Sequence, residues 1–337
     1  MRVCLYLESI EILTPSGFPR AFRQQLEALR LSGVEVTTDP YGRYDLLHVH
    51  WNAPKSLYHL RRAKRRGVKV VAHAHSVGAF DMLDSFTFSN RVAPLYDRYL
   101  RWFYSQADCV FTPSERAAEI LREKGLERVA VVSNGIDRER FRFSQAGRDE
   151  FREKLSLDRF TAYSAGNVIP RKGVCDFIDV AAALPEIDFV WYGYRWGRLL
   201  SYYPAMHKKI AHRPPNVRFP GFVRDTQGAF SACDALFFPS FGETQSLVVL
   251  EAASLGRPLV LRDLPEYRSW LLEGTNCLLG RSVEEFVDLV RRVSREEPLR
   301  TALSRQAEAL AEEHRLERIG ERLRTLYEAV LEGRDVG

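Results

Sequence analysis

Glu243 and Glu251 stand eight residues apart in Phe237-Phe238-Pro239-Ser240-Phe241-Gly242-Glu243-Thr244-Gln245-Ser246-Leu247-Val248-Val249-Leu250-Glu251. The apolar run before Pro239 reads as a strand and the stretch from about Gln245 as a helix. Glu243 then falls in a loop at a helix N-terminus, and Glu251 nearly two turns into the helix. Free N–H groups and the positive dipole end make such a start a seat for phosphate. Carboxylates beside it can accept hydrogen bonds from sugar hydroxyls. A plain N-terminal cap at Glu243 and a solvated Glu251 would use the same spacing. Gly166-Asn167-Val168-Ile169-Pro170-Arg171-Lys172-Gly173 also follows a strand and opens a helix. Arg171 and Lys172 can there neutralise a diphosphate leaving group, or form only a solvated basic turn. Gly17, in the loop after the first strand, permits a tight turn or close approach to a ligand.

His48-x-His50 and His73-x-His75 end two neighbouring strands, and residues i and i+2 share a sheet face. Four imidazoles close together can bind zinc, but no carboxylate or cysteine signature accompanies them, so no metal is expected. His75 is the candidate for chemistry, because a long loop over 76–90 follows it. Lys55, Arg61, Arg62, Lys64, Arg65, Arg66 and Lys69 form a basic run, and residues 91–104 mix arginine with aromatic side chains. Such elements can lie in a membrane interface, with apolar groups dipping in and arginine meeting phosphates. A buried amphipathic helix beside a solvated basic one is the other reading.

The elements that position these residues alternate. Strands are expected at 2–8, 34–38, 45–50, 68–74, 108–112 and 128–132, with helices at 18–32, 55–66, 91–106 and 114–124. The pattern breaks over the polar stretch 135–150 and restarts. Strands follow at 160–165, 187–192, 216–219, 234–238, 258–261 and 276–279, with helices at 172–183, 199–211, 225–232, 245–255 and 282–295. The tail 298–333 reads as helical. This is an α/β chain with two doubly wound parallel sheets joined near 141–148, and ligands of such sheets bind beyond the strand C-termini.

Composition agrees. The 337 residues suit two domains, and 45% hydrophobic with 28% charged residues is ordinary globular usage. No apolar run approaches the ~20 residues of a membrane span, and the first strand lacks the features of a signal peptide, so a cytoplasmic protein is expected. Five scattered cysteines, 4, 109, 175, 233 and 277, indicate neither a disulfide frame nor a metal site. The net charge of +5 is uneven: residues 55–104 hold 10 basic against 3 acidic residues. That excess suits an anionic surface or an acidic substrate. No nucleic-acid module is visible. The dinucleotide G-x-G-x-x-G, the phosphate loop G-x-x-x-x-G-K and the metal-holding D-x-D are all absent.

Together these pieces resemble the family 4 glycosyltransferases of the GT-B fold. The resemblance rests on Glu243-x7-Glu251 within Phe238 to Pro258, on Val132-Ser133-Asn134-Gly135-Ile136-Asp137, on Pro170-Arg171-Lys172-Gly173 and on Asn216 to Val223. His73-Ala74-His75-Ser76, Phe189 to Tyr194, Glu243-Thr244-Gln245 and Arg262 to Tyr267 look like the bacterial enzymes that add a second sugar to a monoglycosyl-diacylglycerol. The resemblance implies two Rossmann-like domains facing a central cleft: an acceptor-binding domain over 1–143 and a nucleotide-sugar-binding domain over 144–310. The helix over 311–337 would pack back towards the first. It implies a UDP-sugar donor, UDP-glucose or UDP-galactose, and a lipid acceptor at the inner membrane face. Transfer would retain configuration and need no metal or other cofactor. Carried over, Glu251 binds the ribose, Glu243 the donor sugar and Lys172 the diphosphate. The N–H groups of Ser246 and Leu247 complete that site, with Thr244 and Gln245 between. Gly17 lets a loop close on the phosphates, Gly221 to Val223 lie near the base and His75 near the reacting sugar. Asn167 stands where many members have arginine, and Arg171 is the candidate to replace that charge. A soluble or polysaccharide acceptor, a sugar-nucleotide epimerase and a non-catalytic sugar-nucleotide-binding protein are the competing readings.

Overall fold

The computed structural model describes residues 1–8, 17–197 and 203–336. The chain forms two compact units: residues 1–82, 91–135 and 314–337, and residues 83–90 with 136–313.

The first unit holds β1 (Arg2–Tyr6), α1 (Phe18–Leu31), β2 (Glu35–Thr37), β3 (Leu46–Val49), α2 (Pro54–Arg65), β4 (Lys69–His73), all but the first two residues of α3 (Ser89–Tyr104), β5 (Cys109–Thr112), α4 (Glu115–Glu123) and β6 (Val129–Val131). The strands pair in parallel in the order β2-β1-β3-β4-β5-β6. Adjacent residues point to opposite faces of the sheet, and both faces are covered. Val3, Leu5 and Val71 face one core, while Cys4, Val70 and Ala72 face the other. That is why the strands read as continuous apolar runs rather than alternating ones.

The second unit continues with α5 (Gln145–Leu155), β7 (Thr161–Ala165), α6 (Val174–Ala183), β8 (Asp188–Tyr192), α7 (Pro204–Ala211), β9 (Val217–Gly221), α8 (Thr226–Ser231), β10 (Ala235–Phe238), α9 (Leu247–Ser254), β11 (Leu259–Arg262), β12 (Leu278–Gly280), α10 (Val283–Arg295) and α11 (Glu297–Glu313). Its parallel order is β12-β11-β10-β7-β8-β9. Phe177, Phe189, Trp191, Phe237 and Phe286 fill one face, and Tyr163, Tyr192, Phe230 and Phe238 the other. Each such fully buried aromatic contributes roughly 1.5–3 kcal/mol. Strand order reverses between β7 and β10, so the loops after these two strands diverge there and leave room for a ligand.

All twelve expected strands are present. Four local expectations need correction. The polar stretch 135–150 contains the start of α5, which has only Phe151 buried. Its Ser144 cap accepts from Gly147 N–H at 3.1 Å, and Arg148 and Arg152 donate to the carbonyls of Ser231 and Ala232. Polar anchoring of this kind leaves no hydrophobic period to read. The tail is two helices, α11 and α12 (Leu316–Glu332), because Arg315 is extended at the α12 N-cap without any proline or glycine to announce it. The units divide at Gly135/Ile136 and Glu313/His314 rather than at 143/144 and 310/311, since Ile136 and Phe141 pack into the second unit's core. Residues 83–90, read as part of a loop of the first half, belong to the second unit. Of the helix expected over 199–211, residues 199–202 lie outside the described residues.

The C-terminal helix belongs to the first unit. Leu316, Ile319, Leu323, Leu326, Tyr327 and Val330 pack with Phe22, Ala28 and Leu29. Gly320 allows this: a Cβ there would lie 1.9 Å from the carbonyl oxygen of Ala28.

Candidate functional site

The second unit's two candidate loops meet at the β7/β10 reversal. Lys172 ends a single 3-10 turn (Pro170–Lys172) after β7, and Glu243 lies in the loop after β10. Lys172 Nζ reaches Glu243 Oε1 at 2.5 Å, and Ser240 Oγ donates to the same oxygen at 2.6 Å. Both side chains are largely buried, so the pair works outside bulk water. Lys172 also lies over the Phe238 ring, 5.4 Å from its centre.

Several contacts bring the loops this close. Gly173 sits at φ +78°, and a Cβ there would lie 2.2 Å from the Pro239 carbonyl oxygen. Arg171 donates from its side chain to Gly242 O at 2.6 Å and to Ser85 Oγ at 3.1 Å, while its carbonyl accepts from Phe241 N–H. Arg171 is thereby committed to holding the loop, and Lys172 is the cation that faces the glutamate. Residues 83–90 take part, since the Arg171 N–H donates to Asp84 O.

α9 begins at Leu247 with Ser246 as its N-cap, two residues later than expected. Glu243, Gln245 and Ser246 are buried and Thr244 half-buried. Glu251 is 0% exposed, which removes the solvated-residue reading. Gly221 closes β9 at φ +87°, and Val223 packs against the core beyond it. Asn167 has its Oδ1 buried without a hydrogen-bond partner among the described residues.

Two residues of this site carried no sequence signal beyond the resemblance. Arg262, at the end of β11, donates to Pro239 O at 3.0 Å, pairs with Asp176 and stacks 3.9 Å over the Phe241 ring. It fastens the Glu243 loop from the side opposite Arg171. Tyr267 is fully buried, and burial pushes its phenol well up, with the charges of Glu243 and Glu266 adding to the effect.

In the first unit, His48, His50, His73 and His75 gather at the C-terminal ends of β3 and β4. His50 Nδ1 is 3.1 Å from His75 Nε2, and His73 Nδ1 is 3.3 Å from His48 Nε2. Burial holds His48, His50 and His73 well below the ordinary imidazole value and brings His75 down to about 3. Gly17 caps α1 at φ −72°, a conformation open to any residue, so the tight-turn argument for glycine does not hold there. Leu13 to Ser16 lie outside the described residues.

α2 and α3 share a face of this unit. Asn52 donates to the Tyr96 hydroxyl at 3.2 Å, and the Arg61 guanidinium lies 5.3 Å over the Trp102 ring. α3 buries Ala93, Leu100, Phe103 and Tyr104. Its outer side presents Leu95 at 67% exposure, with Val92 and Trp102 among Arg91, Arg98 and Arg101. Among the described residues no helix is long and apolar enough to cross a membrane.

Residues 5–140 match the model of Glycosyltransferase Family 4, and residues 159–296 that of Glycosyl transferases group 1. The processive diacylglycerol alpha-glucosyltransferase of Acholeplasma laidlawii is 34% identical over 98% of this chain and 99% of its own. The chain belongs to the family 4 glycosyltransferases. Another relative of this glycosyltransferase is the alpha-galactosylglucosyldiacylglycerol synthase of Streptococcus pneumoniae, 28% identical over 80% of this chain and 74% of its own. The Anabaena protein HepE, crystallised with UDP-glucose, superposes with a TM-score of 0.75 at 17% identity, covering 98% of this chain and 100% of that one. Sucrose-phosphate synthase from Thermosynechococcus elongatus reaches 0.80 at 15% identity over 99% and 100%. At these identities the two structures establish the GT-B fold.

Proposed function

We propose that this glycosyltransferase moves glucose or galactose from a UDP-sugar to a monoglycosyl-diacylglycerol, giving a diglycosyl lipid with retained configuration. The observation that carries the donor site is the Lys172–Glu243 pair at the β7/β10 reversal, beside the N-terminus of α9. Lys172 and the N–H groups of Ser246 and Leu247 balance the charge of the diphosphate as it leaves. Glu243 accepts hydrogen bonds from the donor sugar's hydroxyls, and Glu251, with the Gly221–Val223 segment, holds the nucleoside. In front-face displacement the leaving diphosphate takes the acceptor hydroxyl's proton, so no covalent nucleophile and no metal are required in the transfer. His75 is assigned to the reacting sugar, and Gly17 to the loop that covers the phosphates. The printed activities of the Acholeplasma and Streptococcus relatives support the lipid acceptor.

The acceptor is reached at the inner face of the cell membrane through residues 55–104. The arginines of α2 and α3 meet lipid phosphates, and Val92, Leu95 and Trp102 enter the interface. The test is UDP release from a panel of UDP-sugars, with and without monoglucosyl-diacylglycerol in anionic liposomes. Release with one sugar that depends on the lipid supports the reading. Donor binding without release on any lipid, with release on a soluble sugar or polysaccharide, removes the glycolipid assignment. Leu95→Asp should lose liposome binding while retaining turnover on detergent-dispersed acceptor, and unchanged liposome binding would remove the α3 face from the proposal.

A further inference from the structure

Three members of the first unit's histidine cluster, His48, His50 and His73, have no part in the transfer reading and adjoin His75, which has. His48 and His50 stand at i and i+2 at the end of β3, and His73 ends the neighbouring β4. This places three imidazoles on one sheet face, two from one strand and one from the next. One ring nitrogen from each lies within 4.8 Å of the others, and all three residues are buried. A tetrahedral ion with nitrogen ligands at 2.0–2.1 Å has ligand nitrogens about 3.3–3.4 Å apart. His73 Nδ1 and His48 Nε2 are already at 3.3 Å.

Hydrogen bonding alone leaves the cluster incomplete. His48 Nδ1 lies 2.6 Å from the Tyr327 hydroxyl, and the tautomer that donates to that oxygen leaves Nε2 with a lone pair. His50 Nδ1 faces His75 Nε2 at 3.1 Å, and donation there leaves His50 Nε2 with a lone pair. That nitrogen is buried and has no hydrogen-bond partner among the described residues. The outer nitrogens thus face a hydroxyl on α12 and the His75 imidazole just beyond β4, where metal-bound histidines need a fixed outer contact. The Gln25 amide nitrogen lies 3.4 Å from both Nδ1 and Nε2 of the His73 ring. Edge-on aromatic rings, Phe22 against His50 and Phe111 against His48, keep the surroundings apolar.

We propose that His48, His50 and His73 bind one divalent transition ion of the zinc type, which ties β3 to β4 and, through Tyr327, to α12. The chain supplies three ligands and leaves the fourth tetrahedral position to water, and the proposal rests on the cluster's own geometry rather than on the transfer reading.

The test uses untagged full-length protein purified without chelator. Elemental analysis should find about one zinc per chain. Metal-free protein given cobalt(II) should show the visible ligand-field bands of a tetrahedral nitrogen site. His50→Phe, matched to the aromatic surroundings and checked by circular dichroism, should lose the metal and the bands. Zinc should raise the Tm of the metal-free wild type and leave that of folded His50→Phe unchanged. Folded wild type with less than a tenth of an equivalent of metal and no cobalt bands would overturn the proposal, leaving a metal-free imidazole network. Metal retained equally by His50→Phe would overturn it as well, by placing the ion elsewhere.

Discussion

Neutralising the two members of the Lys172–Glu243 pair one at a time, and then together, tests whether they form one electrostatic unit. Lys172 Nζ and Glu243 Oε1 are 2.5 Å apart, with side-chain exposures of 17% and 9%. At an effective dielectric of about 20, two unit charges at that separation attract by roughly 6–7 kcal/mol, most of which offsets their desolvation. Lys172→Met takes from Glu243 its cation and leaves it the Ser240 hydroxyl among the described residues. Glu243→Gln removes the carboxylate charge that the Lys172 ammonium faces beside the Phe238 ring. Each single change should therefore cost about 2–3 kcal/mol of stability in urea unfolding. The double variant removes both charges and should cost about the same as either single one, a coupling of about 2 kcal/mol. Activity should behave differently. If Lys172 stabilises the leaving diphosphate, Lys172→Met lowers kcat/KM for the donor by about 10²–10³-fold, and the double variant recovers none of it. Stability costs that add within about 0.5 kcal/mol would refute the coupled pair. Wild-type turnover in Lys172→Met would refute its place at the donor.

Three further outcomes follow from the packing. Gly173→Ala combines a positive φ with a Cβ at 2.2 Å from Pro239 O. It should cost about 3 kcal/mol and raise the donor KM by displacing Lys172, both read from urea unfolding and donor saturation curves. Gly320→Ala pushes α12 away from the Ala28 carbonyl of α1. It should destabilise the first unit by about 1–3 kcal/mol in calorimetry, with proteolysis in the native state beginning near residue 314. Burial pushes the thiols of Cys4, Cys109, Cys233 and Cys277 up to about 12, whereas Cys175 is half-buried. At pH 8 only about one thiolate in 10⁴ forms at each of the four. Ellman's reagent should thus titrate at most Cys175 in native protein and all five thiols in guanidinium.

The strand pattern was legible because parallel strands buried on both faces read as short unbroken apolar runs between turn signals. Lys172 and Glu243 were legible for a related reason. Both follow such a run, and a loop after a parallel strand emerges at the edge where ligands bind. The features that escaped depend on long-range polar contacts. α5 is fastened by arginines that reach carbonyls some 80 residues away, and a hydrophobic period cannot register that. Arg171 is the instructive case. As one of two adjacent cations after a strand, it looked interchangeable with Lys172 and fit to replace the arginine absent at Asn167. Its guanidinium instead bridges Gly242 O and Ser85 Oγ, joining the Glu243 loop to a segment 86 residues before Arg171 itself. Charge is common to both side chains, but only a planar fork of donors can span two acceptors on separate loops. The division of labour therefore follows from shape: the fork positions the loop, and the point charge of Lys172 is left facing the carboxylate. Arg171→Lys keeps the charge and loses the span, so it should impair donor use nearly as much as Arg171→Ala, an outcome that a simple requirement for positive charge does not allow.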